Sequence, residues 1–155
     1  MFHSRILLRS GSLVFLLFTT SGVVSATPTV IELTQVPCQF LESENGVDHG
    51  YTSTHANDCV KINKSSAVKR LGQIEPISLK AGDYIFRVTN KNVPYDLGFW
   101  LRGKGLVARA TLPSVSGGGL STGATRDYRI TLKPGKYLYS CPLNPTPDYP
   151  LVVTE

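Results

Sequence analysis

A chain of 155 residues, 41% apolar and 17% charged, is long enough to bury one core and short enough for one domain. The formal charge of +5 comes from Lys and Arg scattered along the sequence, which argues against the massed basic face of a nucleic-acid binder. Beyond the N-terminal stretch, no apolar run approaches the ~20 residues that span a bilayer as a helix.

Residues 1–26 read as a secretory signal. Arg5 and Arg9 give a positive start, Leu13 to Val24 an apolar centre broken by Thr19, Thr20, Ser21 and Gly22, and Val24-Ser25-Ala26 a small-residue cleavage site. We therefore expect residues 27–155 to be an exported domain, secreted across the inner membrane into the periplasm, with no membrane span after signal removal. Cys38, Cys59 and Cys141 then enter an oxidising compartment, and an odd count leaves at least one sulfur unpaired, held by a metal or bridged to another molecule.

Thr29 to Gln35 predicts a first strand. From Val36 to Asp58 no period is sustained, and the residues are Pro, Gly, Asn, Ser, Thr and acids, so residues 38–59 are expected as a long N-terminal loop insertion. A loop of that length inside a compact domain calls for a crosslink or a function. A Cys38–Cys59 disulfide would close it and stabilise the fold by about 3 kcal/mol on the loop-entropy argument. Val60 to Leu71 predicts one short helix, or a strand and a turn.

The β signal begins at Glu75. Glu75 to Leu79 leads into an Ala81-Gly82 turn, and Asp83 to Asn90 alternates with Tyr84, Phe86 and Val88 inward and Ile85, Arg87 and Thr89 outward. Leu97 to Leu101 is an apolar strand and Leu106 to Leu112 a weaker one. Pro113 to Gly123 reads as a flexible glycine-rich loop; it lacks the lysine and the strand-to-helix setting of a phosphate loop. Tyr128, Ile130 and Leu132 form the inner face of another strand. A Pro134-Gly135 turn then launches a strand with Tyr137, Tyr139 and Cys141 on one face, and after a proline-rich loop an apolar strand closes the chain. Short strands with turns every ten residues or so predict an all-β, two-sheet Greek-key sandwich.

Glu75-Pro76, Lys80 to Asp83, Tyr84 to Val88, Thr89 to Asn92, Leu132 to Gly135 and Tyr137 to Cys141 together resemble the cupredoxin family. The tail L-K-P-G-K-Y-L-Y-S-C-P-L-N-P is similar, more narrowly, to the cupredoxin-like domain of EfeO-type periplasmic iron-uptake proteins. The resemblance implies a cupredoxin-like β-sandwich over residues 73–155, with Cys141 at the position of the sulfur ligand. It also implies a histidine after the turn near residue 92 and a histidine and methionine after the cysteine. Tyr95 and Asn144 stand where the histidines would, and no methionine remains after signal removal, so a type 1 copper site, which needs a thiolate and two imidazoles, is not expected. Of the glutamates that the EfeO-type pattern carries in one strand, only Asp96 has an acidic counterpart between Asp96 and Leu101. The family topology also brings the first and penultimate strands together, which leaves a Cys38–Cys141 pairing open beside Cys38–Cys59.

Metal handling, of copper or iron at a non-type-1 site, is thus the first functional expectation. Its candidate ligands are Cys141, Tyr95 and Asn144, with His49 and His55 from a loop that also holds Glu42, Glu44, Asp48, Tyr51 and Asp58. The bland reading of that loop is two exposed histidines stapled by a disulfide. A metal-free interaction module, whose glycine-rich and proline-rich loops contact another exported protein, is the alternative. With only the two clustered histidines after signal removal and no nucleophile-elbow motif, a hydrolase triad has no anchor, and a non-enzymatic protein is expected. Tyr95, Trp100, Tyr137, Tyr139 and Tyr149 are expected to serve chiefly as packing.

Overall fold

The computed structural model describes residues 27–155; the signal expected over residues 1–26 lies outside them. Nine strands form two sheets: β1 (Thr29–Val36), β2 (Gln39–Phe40), β3 (Ile77–Lys80), β4 (Gly82–Asn90), β5 (Leu97–Gly103), β6 (Val115–Leu120), β7 (Thr125–Leu132), β8 (Gly135–Ser140) and β9 (Tyr149–Thr154). One sheet has the order β2-β1-β4-β7 and the other β3-β9-β8-β5-β6. The chain changes sheet on entering β3, β4, β5, β7 and β8, and β1–β4 and β3–β9 pair in parallel while the other ladders are antiparallel. This is the all-β, two-sheet Greek-key sandwich that the short alternating strands predicted.

Alternation fixes the core. In β4, Tyr84, Phe86 and Val88 turn inward, and β7 answers with Tyr128 and Leu132. Phe99 of β5 sits between the layers, its ring centroid 5.5 Å from Phe86, 5.1 Å from Tyr128 and 6.2 Å from Phe40. Tyr137, Tyr139 and Tyr149 are fully buried, so these three tyrosines are packing residues, as expected. Ile85, read as outward, is buried too.

Three segments differ from the sequence reading. The stretch from Val36 to Asp58 is not one open loop: it contains β2 and a 3-10 turn at Glu42–Glu44, and its end belongs to helix α1, Ala56–Leu71. That helix runs four residues earlier than the sequence suggested, and it lacks an apolar stripe because only Cys59 and Arg70 are buried along it. Its start is set by His55 and Asp58, which cap each other's backbone. Leu106 to Leu112, read as a strand, holds helix α2, Leu106–Thr111, with no buried residue. So short an exposed turn leaves no periodic signature. Most of the supposed flexible loop is strand β6. A Cβ on Gly98 would lie 2.6 Å from the Gly117 carbonyl oxygen, and one on Gly117 would lie 2.9 Å from the Tyr128 ring. Glycine here marks close approach of backbone and ring, not freedom.

Candidate functional site

Cys141 follows the last residue of β8, and strand alternation turns it inward with Tyr137 and Tyr139. It is 1% exposed and its thiol is free. The sulfur accepts backbone N–H groups from Gly98, at 3.3 Å, and Asn144, at 3.2 Å. Burial pushes the thiol pKa up, and those N–H dipoles pull part of the way back. Gln35 binds the same Gly98 segment: its Nε2 donates to the Gly98 carbonyl at 2.8 Å, while its buried Oε1 has no partner among the described residues.

The loop after Cys141 curls back so that Asn144 is 0% exposed. Its Nδ2 donates to the Val36 carbonyl at 3.1 Å, and its Oδ1 accepts from the Cys38 N–H at 3.0 Å and the Tyr95 hydroxyl at 3.3 Å. Tyr95 has a single phenolic proton, so the 2.8 Å bond between Tyr95 and Ser53 is donated by Ser53. Partial burial raises the Tyr95 pKa, keeping the phenol protonated as this chain of bonds requires. The Cys38–Cys59 disulfide, one of the pairings expected, joins the turn after β1 to the first turn of α1. Cys59 Sγ lies 3.0 Å from Asn144 Oδ1. This is a packing contact, since a disulfide sulfur carries no proton. Cys38 has φ of 67°, a left-handed conformation uncommon outside glycine. Its N–H binds Asn144, and its carbonyl accepts from Asn63 and Arg70.

The sequence candidates therefore divide. Cys141, Tyr95 and Asn144 come together at one end of the sandwich, with the disulfide beside them. His49 and His55 do not join them. His49 Nε2 is 2.7 Å from Glu44 Oε2, and His55 caps α1 with its Nδ1 3.1 Å from Asp58 and its side chain 64% exposed. Glu44 anchors a second buried cluster. Arg70 grips it with both ends of its fork, at 2.6 and 2.9 Å, and Tyr149 donates its hydroxyl to the same carboxylate. Burial opposes ionisation of Glu44, yet the bonds from Arg70, Tyr149 and His49 outweigh it and hold the carboxyl below its ordinary pKa.

Among the described residues, no three His, Cys, Asp or Glu side chains gather into a group able to hold a metal ion. The donor set around Cys141 offers one thiol, a phenol and an amide already bonded to each other or to backbone, which does not fit the thiolate and two imidazoles of type 1 copper. Glu44 stands out in the sequence only as one acid of the 38–59 loop, and Arg70, Ser53 and Gln35 carry no signal as site residues, because their partners lie far away in the chain.

Beside Cys141 an open, mostly apolar groove runs between Phe99, Trp100, Gly117, Gly118, Pro142 and Leu143. The glycine-rich β6 and the proline-rich loop after Cys141 thus meet on one surface.

The chain matches no family model. It also matches no curated protein. Among solved structures it is similar to auracyanin B, with 18% sequence identity over 87% of this chain and 96% of that one and a TM-score of 0.49.

Proposed function

We propose that this chain is an exported, non-enzymatic interaction module on a cupredoxin-like sandwich, working without a metal ion. The observation that carries this reading is the state of Asn144. All the hydrogen-bonding capacity that a ligand position would need is spent on Val36, Cys38 and Tyr95, and freeing it would leave buried groups unpaired, at about 1–3 kcal/mol each. The meeting of β6 and the Pro142-Leu143 loop on one apolar groove supports a contact role for that end of the molecule.

A second reading, handling of copper or iron through Cys141, draws on the two N–H groups that already face the sulfur, an arrangement that favours a thiolate once formed. Calorimetric titration of residues 27–155 with Cu(I), Cu(II), Fe(II) and Zn(II), beside Cys141→Ser, separates the two. The module reading expects no submicromolar binding by the parent. Submicromolar binding that Cys141→Ser abolishes would replace it with metal handling.

A further inference from the structure

We propose that the outer edge of β6 takes an extended, acidic segment of a partner protein, which adds a strand to the five-stranded sheet and seats an apolar side chain against Trp100 and Leu143. This rests on the reading of the chain as an interaction module. Strand β6 ends its sheet among the described residues, so one row of its N–H and C=O groups has no neighbouring strand there. Proteins ordinarily blunt such an edge with charge, proline or a cover, yet Ser116 to Gly119 is exposed and carries only Ser and Gly.

Packing accounts for part of that bareness and not the rest. Gly117 has no room for a Cβ. Gly118 has: a Cβ there would make ordinary contacts, 3.6 Å from Leu143 Cδ1 and 3.9 Å from the Leu97 carbonyl oxygen. A glycine that its own fold does not demand leaves space for another backbone to approach. The neighbouring groove supplies the apolar pocket that a strand's alternate side chains need for specificity.

Charge selects the occupant. No acidic residue lines the groove. Arg109 lies over the Trp100 ring, 5.5 Å from its centroid, and the Arg126 guanidinium lies 3.5 Å from the position of a Cβ on Gly119. Neither arginine is in an ion pair among the described residues. A second copy pairing β6 with β6 about a two-fold axis would bring these arginines toward their own equivalents, whereas an acidic strand would neutralise them.

The test is an NMR titration of residues 27–155 with an octapeptide alternating glutamate and valine. Its controls are a lysine-valine counterpart and the acidic peptide N-methylated at every residue, which has no amide N–H left to pair as a strand. The inference expects amide shifts over residues 115–120 and at the Trp100 indole. Affinity should weaken about tenfold or more on N-methylation, and fall with added salt. It should also fall in Gly118→Pro and in Leu143→Glu, both checked for retained fold by circular dichroism. Absence of shifts, equal response to the lysine peptide, or indifference to N-methylation would overturn it. Concentration-dependent shifts at β6 without peptide would overturn it in favour of a second copy. Failure here leaves the module reading in place, whereas a submicromolar metal site at Cys141 removes that reading whatever the peptides do.

Discussion

At the scale of single residues, the sandwich end is held by groups whose partners are remote in sequence. Asn144 bridges the loop after β8 to the end of β1, and Asn144→Ala strands the Val36 carbonyl and the Cys38 N–H in a site without solvent. We expect a loss of about 3 kcal/mol in urea unfolding, and a loss below about 0.5 kcal/mol would show that the network is incidental. Glu44 contributes differently. Its folded pKa lies below the unfolded value, so its stabilisation is complete above the unfolded value and fades as pH falls through it toward the folded value. The urea midpoint should therefore drop between about pH 5 and pH 3. Glu44→Gln should cost about 3 kcal/mol at neutral pH by leaving Arg70 buried without its counter-charge, and should flatten that acid limb. Cys141, Tyr95 and Asn144 were legible in the sequence because a strand pattern and a short loop put them in register with a familiar arrangement. The Glu44–Arg70 pair was not: the two are 26 residues apart, and a charge in a sequence does not name its partner.

At the scale of elements, legibility followed burial. Strands β4, β7, β8 and β9 could be read because each sends a spaced set of side chains inward, and β5 because it is apolar and buried almost throughout. Helix α1 could be read only as one of two alternatives and four residues short, because it is fixed by one disulfide and one buried arginine in place of an apolar stripe. That construction has a measurable consequence. Replacing Cys38 and Cys59 by serine should cost about 3 kcal/mol globally, and should raise hydrogen exchange in α1 far more than in β4 or β7, whose ladders do not depend on the crosslink. Equal rises in all three would mean that α1 is an integral part of the cooperative core. The glycines of β6 misled in the opposite direction, since their backbone is pressed against its neighbours. Gly98→Ala would place a Cβ 2.6 Å from the Gly117 carbonyl oxygen. It should destabilise by about 1–3 kcal/mol, where Gly118→Ala should be close to neutral in a thermal melt.

At the scale of the whole molecule, the two sheets meet in an aromatic core, and one end of that core is closed by four pieces of chain distant in sequence. The turn after β1 brings Cys38, helix α1 brings Cys59, and the loop after β8 brings Asn144, with Tyr95 completing the junction from before β5. The sandwich could be inferred from alternation, but this closure could not, because it depends on the α1 placement that the sequence left open. If the disulfide and the asparagine hold the same junction, removing one should reduce what the other still contributes. A double-mutant cycle of Asn144→Ala against Cys38→Ser plus Cys59→Ser should then show a coupling of about 1–2 kcal/mol, with the combined variant less destabilised than the sum of its parts. Additive losses would mean that α1 and the Cys141 loop are anchored independently. In that case reduction of the disulfide would open the end of the sandwich on the α1 side while the Cys141 loop, held by Gly98 and Asn144, stays closed.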